Sequence, residues 1–323
     1  MPSSKKIFLS INKDISQLNI NLQKMIGAKH PILYAAAKHL FNTGGKRIRP
    51  SIILLIAKIT AKDKKIKPEH QRLAEITEII HTASLVHDDV IDDCDTRRGQ
   101  DTVHNIFTTK IAVLAGDFLF AQSSWYLANL NNLEVVKTIS KVITDFAEGE
   151  VRQGFTNFDI TISIEDYIEK SFYKTATLIA CSCKATAMLS NCTKNIQNDF
   201  YIYGKHLGLA FQIIDDILDI TSETGKLGKP AGSDLKNGNL TAPLIFALEE
   251  NSQLHQLINQ EFFNENDINQ TINIIKETKG IQKAKDLAEE HIQLAIQVIK
   301  DKFKCDNTKT LILISNYILH RFN

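Results

Sequence analysis

The chain is 323 residues long, 43% hydrophobic and 23% charged, with a formal net charge of +1. An even mix of signs excludes the basic surface of a nucleic-acid binder and the polybasic anchor of a membrane-surface protein. Five cysteines, an odd number in so long a chain, exclude a disulfide framework and point to reduced thiols in the cytoplasm.

No Pro-, Gly- or Ser-rich linker marks a boundary, so residues 1–323 read as one domain. Of the six prolines none falls between Pro68 and Pro230 and none follows Pro243, which leaves room for long helices. Strand-like alternation bounded by turn signals is absent, so the expected class is all-α.

Residues 1–43 read as two packing helices broken near Gly27 and Pro31 and closed by Asn42-Thr43-Gly44-Gly45, a C-cap signal. The IFLSI run is too short for a signal-peptide core, and no apolar stretch approaches the roughly 18 residues of a membrane span. KRIRP then places Lys46, Arg47 and Arg49 close together, ahead of the apolar SIILLIA helix that anchors them. Such a cluster is either a solvated surface or an anion clamp.

Residues 71–99 are the stretch that organises the rest. Leu73, Ile76, Ile80, Ala83 and Val90 recur at three- to four-residue spacing without Gly or Pro from Gln71 to Arg98, predicting one long buried helix. Its end carries Asp88, Asp89, Asp92 and Asp93. Asp88 and Asp92 stand one turn apart on a face shared with His81. Like charges at that spacing weaken a helix by a few tenths of a kcal/mol, and apolar neighbours make ionisation costlier. A cation belongs there. Carboxylate oxygens suit Mg2+, which keeps positions open for phosphate when only one or two carboxylates hold it. His81 is either part of that face's chemistry or a satisfied core histidine, whereas His87 and His104 read as structural. Arg97 and Arg98 follow, with paired guanidinium donors that match phosphate or salt-bridge Asp92, Asp93 or Asp95.

Residues 111–131 are too apolar for a helix with one buried face and are expected to be buried on several sides. Residues 133–156 form another helix ending in EGEVRQG, with Glu150 and Gln153 on a polar turn. A long helix from Ile164 to Leu189 carries Lys174 and Thr175. Cys181 and Cys183 are two apart on it and do not face each other, so a metal pair is not expected. FQIIDDILD at 211–219 repeats the acidic spacing as Asp215, Asp216 and Asp219, with Gln212 on nearly the face of Asp215. If the two acidic helices face one another, their carboxylates form opposite walls of a metal-bridged diphosphate site. Gly225, Gly228, Gly232 and Gly238, interleaved with Lys226, Lys229, Asp234 and Lys236, read as a lid-like loop. Residues 250–323 supply further helices, of which 263–280 is the least legible.

DDVID and DDILD resemble the first and second aspartate-rich motifs of the trans-prenyltransferases, the isoprenyl diphosphate synthases. GGKRIRP at Gly44–Pro50, HTASLVHDD at His81–Asp89, RRG at Arg97–Gly99, YKTA at Tyr173–Ala176, FQIIDD, and GKPAGSDLKNGNLT at Gly228–Thr241 occur in that family's order. The sequence is most similar to the long-chain, octaprenyl and solanesyl, type. The resemblance implies a single-domain isoprenoid-synthase bundle of about ten or more helices around a central cavity. It also implies a homodimer to which region 111–131 contributes, and leaves Trp125 near that interface or near the cavity floor. About three Mg2+ ions per active site with substrate bound are implied, on Asp88, Asp92, Asp215 and Asp219. Lys46, Arg49, His81 and Arg98 would hold isopentenyl diphosphate. Arg97 and Lys174 would contact the allylic diphosphate, Thr175 and Gln212 would support them, and Lys229 would reach the phosphates from the loop. Asn239 stands where the family often has another basic residue, and Ala242 where it usually has a larger apolar one.

The implied chemistry is ionisation of the allylic C–O bond, attack by the double bond of isopentenyl diphosphate, and loss of a proton, with water excluded. No side chain stands out as the base; in the family the released diphosphate takes the proton. Product length follows from Ser84, one turn below Asp88, and Ile80 a turn below that, since a turn of about 5.4 Å is close to one isoprene unit. Aromatic residues at the fourth or fifth position before the first aspartate block the path in short-chain members. Here those positions are Ser84 and Ala83, both small, so the expected product is about C40 to C50 and at least about C30, as in quinone side chains. A product so lipophilic is consistent with peripheral membrane contact but requires no span. The alternatives are a geranylgeranyl-type synthase, a non-catalytic subunit of a heteromeric synthase, a class I terpene cyclase and a helical structural protein. The intact clamp and both acidic motifs disfavour the last three.

Overall fold

A computed structural model describes residues 9–42, 45–61, 63, 65–97, 99–221, 232–262 and 264–320. The fold is all-α. The helices are α1 (Asn12–Met25), α2 (Pro31–Asn42), α3 (Ile48–Thr60), α4 (Pro68–Ile91), the short α5 (Val103–Ile106), α6 (Thr109–Ala128), α7 (Leu133–Phe155) and α8 (Ile164–Ser171). They continue as α9 (Thr177–Leu189), α10 (Lys194–Thr221), the short α11 (Ser233–Lys236), α12 (Ala242–Leu248), α13 (Gln253–Asn259), α14 (Glu265–Glu277), α15 (Gly280–Lys300) and α16 (Asp306–Leu319). The chain divides into two compact units. The first comprises Met1–Ile143, Leu178–Gly204 and Gln297–Ile314, and the second Thr144–Thr177, Lys205–Ile296 and Ser315–Asn323.

In the first unit α4 is the central helix, packed against α6, α3 and α1. Pro68 opens it at a position where its missing N–H is no loss, and Leu73 to Ile80 are buried almost all round. It ends at Ile91, several residues before the expected limit. The chain then forms a two-residue hairpin, Thr96–Arg97 against Gln100–Asp101, turned through Gly99 at φ 74°. Pairing this short carries no alternation to read from sequence.

Helix α6 corrects the expectation of burial on several sides. Ala112, Ala115, Gly116, Leu119, Ser123 and Leu127 face inward, while Val113, Leu114 and Trp125 are exposed. Gly116 is required by His87: a Cβ there would lie 2.2 Å from the imidazole Nε2, so the ring seats on bare backbone, as a structural histidine does. By length and composition α6 is long and apolar enough to cross a membrane, contrary to the expectation that no stretch approaches that length. Its inward face packs on α4 and α2. Thr108 caps it by accepting the Ile111 N–H at 3.2 Å, a contact worth about 1 kcal/mol.

In the second unit the expected unbroken helix from Ile164 is interrupted by a π-helical turn, Phe172–Ala176, between α8 and α9. Wider i to i+5 turns of this kind concentrate at functional sites. The poorly legible 263–280 stretch contains α14, whose Asn264 accepts the Asp267 N–H while Asp267 reaches back to the Asn264 N–H. All five cysteines are free, and burial pushes the Cys183 thiol up.

Candidate active site

The basic clamp is built at the start of α3. Ser51 to Ala57 are buried without a break, and each large apolar side chain among them contributes about 1.5–3 kcal/mol, so the helix start is firmly seated. Arg47, just ahead of it, holds a left-handed φ of 48°, a conformation that costs a non-glycine residue about 1–3 kcal/mol. Its environment offsets that cost. The guanidinium ion-pairs with Glu78 and donates to Asn19 Oδ1 at 3.2 Å, and the Arg47 carbonyl accepts the Ser51 hydroxyl at 2.8 Å. Arg47 is therefore a structural member of the basic cluster. Arg49 turns elsewhere: its Nη1 lies 3.0 Å from His81 Nε2. A guanidinium only donates, so in this contact His81 accepts on Nε2. Glu78 and His81 are three apart on α4, so the two arginines rest on successive turns. Lys46 is exposed.

Asp92 is the C-cap of α4, and its N–H donates to the Asp88 carbonyl at 2.8 Å; Asp93 has already left the helix with φ 49°. Asp88 and Asp89 thus occupy the last turn, at the negative end of the helix dipole. Carboxylates there cost a few tenths to 1 kcal/mol, roughly, where cations would be favoured. Arg97 answers part of that demand, donating from Nε and Nη2 to Asp89 Oδ1, each at 2.6 Å. Burial opposes the charge on Arg97, but the hydrogen bond and charge of Asp89, with Asp88 behind, outweigh it and raise its pKa. The salt-bridge partner is therefore the buried Asp89, rather than Asp92, Asp93 or Asp95. Asp88 and Asp92 are half-buried. Below them Ile80 and Ala83 are fully enclosed, and half-buried Ser84 donates to the His81 carbonyl at 2.9 Å. Arg98 and Lys229 lie outside the described residues, as do Gly225, Lys226 and Gly228 of the expected lid.

In the second unit the second acidic motif lies on α10, with Asp219 in its last described turn. Asp216 is buried, and burial together with the charge of Asp234 pushes its carboxyl well above the usual range. It accepts the Tyr167 hydroxyl and Gln212 Nε2, each at 2.6 Å, and Gln212 Oε1 accepts Thr175 Oγ1 at 2.6 Å. Gln212 therefore serves Asp216, one turn on, and ties it to the π-turn; the face shared with Asp215 does not decide its partner. Gly208 permits this approach, since a Cβ there would lie 2.6 Å from Ala176 Cα. Asp219 seats residues 232–234, accepting Ser233 Oγ at 3.2 Å and the Asp234 N–H at 3.4 Å, while its carbonyl takes the Gly232 N–H at 3.1 Å. Asp215 is half-buried.

Lys174, on the π-turn, meets the polar turn of α7: its Nζ is 2.9 Å from Glu150 Oε1 and 3.1 Å from Gln153 Oε1. Sequence reasoning missed Tyr167 and Lys170. Lys170 is 7% exposed, and its Nζ donates to Asn239 Oδ1 at 2.6 Å, while Asn239 Nδ2 donates to Asp234 Oδ1 at 3.3 Å. Burial pushes the Lys170 pKa down, against the charges of Asp216 and Asp234. The signal that points to both is their spacing, Lys170 four and Tyr167 seven residues before Lys174. A cleft of about 340 Å³, lined in part by Arg152, Phe155, Asp166 and Glu169, shares Lys170 with this network. Its carboxylates already serve Arg152 and Ser163.

Among the described residues no three His, Cys, Asp or Glu side chains converge on a point that could hold a metal by protein ligands alone. Mg2+ does not need such a cage. It takes one or two carboxylates and completes its octahedron with water and phosphate oxygens, which half-buried carboxylates at a helix C-terminus can supply.

An all-α chain with two acidic motifs on helices, an Arg–His clamp and a lysine on a π-turn has the composition of an isoprenoid-diphosphate enzyme. The family model described as polyprenyl synthetase matches residues 30–275, and the chain belongs to that family. It is 59% identical over 323 residues to the prenyl transferase of Porphyra purpurea, covering all of both chains. It is 48% identical over 316 residues to the chloroplastic solanesyl-diphosphate synthase 2 of Oryza sativa subsp. japonica, covering 97% of this chain and 78% of the other. The Caulobacter crescentus polyprenyl synthase, solved in complex with calcium and isoprenyl diphosphate, superposes with a TM-score of 0.92 at 30% identity, over 99% of this chain and 98% of that one. The protein is a prenyl-transferring enzyme.

Proposed function

We propose that the protein condenses isopentenyl diphosphate onto an allylic diphosphate such as farnesyl diphosphate, making an all-trans polyprenyl diphosphate of about C40 to C50 for a quinone side chain. The observation that carries the reading is that each acidic motif, one on α4 and one on α10, has a buried carboxylate already satisfied and half-buried ones beside it. The solanesyl name of the rice relative and the small residues at 83 and 84 support the long product.

In this reading Asp88, Asp92, Asp215 and Asp219 bind Mg2+, about three ions with substrate present. Bound Mg2+ supplies the charge that neutralises a diphosphate leaving group. That both acidic ends serve one diphosphate, and that the two units act as one catalytic domain, rests on the ordered motifs. Lys46, Arg49, His81 and Arg98 bind isopentenyl diphosphate. His81 suits this role because its contact with Arg49 orients the guanidinium. Arg97, Lys174 and Lys229 hold the allylic diphosphate, and Gln212 and Thr175 keep the π-turn in register with α10. The exposed apolar side chains of α6 support a homodimer built on that helix.

The test is incubation of the protein, a dimer by light scattering on this reading, with Mg2+, farnesyl diphosphate and labelled isopentenyl diphosphate, followed by chromatography of the products. One discrete product of about C40 to C50, abolished by chelation, is expected. A product ending at about C20 would make it a geranylgeranyl-type synthase. No product from folded protein would make it the non-catalytic subunit of a heteromeric enzyme.

A further inference from the structure

We propose that Lys170 is a second cation of the allylic diphosphate pocket, held beside Lys174 and presented at the side chain of Asn239; this rests on the prenyltransferase reading above. The argument begins with cost. A lysine with 7% exposure gives up most of its hydration, and side chains of this type are almost never so enclosed unless a counter-charge or ligand requires it. Charge neutralisation alone does not explain its place. A lysine serving only to cancel Asp216 or Asp234 would seat on their oxygens, yet the Asp216 oxygens are taken by Tyr167 and Gln212, and Asp234 Oδ1 accepts from Asn239. The Lys170 ammonium instead donates to a neutral amide oxygen, at 2.6 Å. An ammonium has three donors, and that bond uses one.

The surroundings indicate the ligand. The charges of Lys174 and Glu150 both act on Lys170, and Lys174, four residues on in the π-turn, is itself 2.9 Å from Glu150. The charges of Asp216 and Asp234 oppose the effect of burial on Lys170. An entering diphosphate would draw on the remaining donors of Lys170 while Asn239 keeps its orientation. Two ammonium groups on one helical face match the several oxygens of a diphosphate better than those of a monophosphate.

The experiment is Lys170→Gln together with the exchange variant Lys170→Asn/Asn239→Lys, which moves the cation across the 2.6 Å contact. Lys170→Gln is expected to raise the KM for farnesyl diphosphate about 10-fold or more and to leave that for isopentenyl diphosphate within about twofold. Calorimetric titration of inorganic diphosphate with Mg2+ should weaken about 10-fold in step, and the exchange variant should recover both values to within about threefold. Unchanged diphosphate affinity in Lys170→Gln, or an exchange variant as impaired as the single one, would overturn the proposal. Should Lys170→Gln fail to fold, the exchange variant decides alone. Wild-type protein that binds diphosphate and Mg2+ without turnover would sink the prenyltransferase reading, while the calorimetry would still decide Lys170.

Discussion

Asp88 and Asp89 are neighbours in sequence with opposite surroundings. Asp89 is buried and takes both Arg97 donors, whereas Asp88 is half-buried on the face of Asp92 and His81. Removing one of each should therefore have different effects. Asp88→Ala is expected to cut turnover by about 10²- to 10³-fold or more while the denaturation midpoint stays put. Asp89→Ala leaves Arg97 enclosed without its carboxylate, and is expected to cost about 3 kcal/mol of stability. Urea titration and steady-state turnover on both variants check this. If Asp88→Ala kept most activity, the metal role would pass to another carboxylate. Arg47 and Arg49 divide in the same way: two residues apart, one ion-pairs with Glu78 and the other is aimed at His81.

On the proposed reading, the residues of α4 below its acidic end set how far a product can grow. Ser84 is half-buried one turn under Asp88, while Ala83 and Ile80 are completely enclosed. An aromatic side chain at 84 has room to enter the path without rebuilding the core, whereas one at 83 must push neighbours aside at a cost of about 1–3 kcal/mol. Ser84→Phe is therefore expected to shorten the products to about C15 to C20 with the fold intact, read by chromatography of the labelled lipid. An unchanged distribution would place the ruler elsewhere. Helices of this kind were legible in sequence because their signals are local: the spacing of Leu73 to Val90, Pro68 at the start, the anchor SIILLIA. The π-turn was not, since a single wide turn leaves the apolar spacing of Ile164 to Leu189 nearly unchanged. Nor was the pairing of Gln212 with Asp216, because two neighbouring aspartates on α10 offer acceptors and packing through Gly208 selects between them. The inward face of α6 was misjudged for a different reason: composition shows how apolar a helix is, not which of its apolar residues face solvent.

Across the whole chain, both compact units enclose histidines in neutral form. In the first, His70 is fully buried on α4, bonded to Ser190 Oγ at 3.0 Å and to the Lys67 N–H at 3.3 Å; burial, then the Lys67 charge, lowers its pKa from 6.5 to about 4. In the second, His206 and His291 meet Nδ1 to Nδ1 at 2.9 Å, and burial followed by neighbouring cationic groups lowers each to about 4. Because each folded pKa lies below the unfolded value of 6.5, the unfolded chain binds more protons between about 4 and 6.5. The stability these groups permit is fully present above pH 6.5 and is lost as pH falls toward 4. His70 alone is expected to account for about 1–2 kcal/mol of loss by about pH 5. Denaturant midpoints should fall steadily from about pH 7 to about pH 5, before ordinary carboxylates begin to protonate, and His70→Gln should flatten that slope even if it lowers the plateau. A flat profile in the wild type over that range would show that the histidines take up protons without unfolding the units around them. An unflattened slope in His70→Gln would move the cause to the His206–His291 pair.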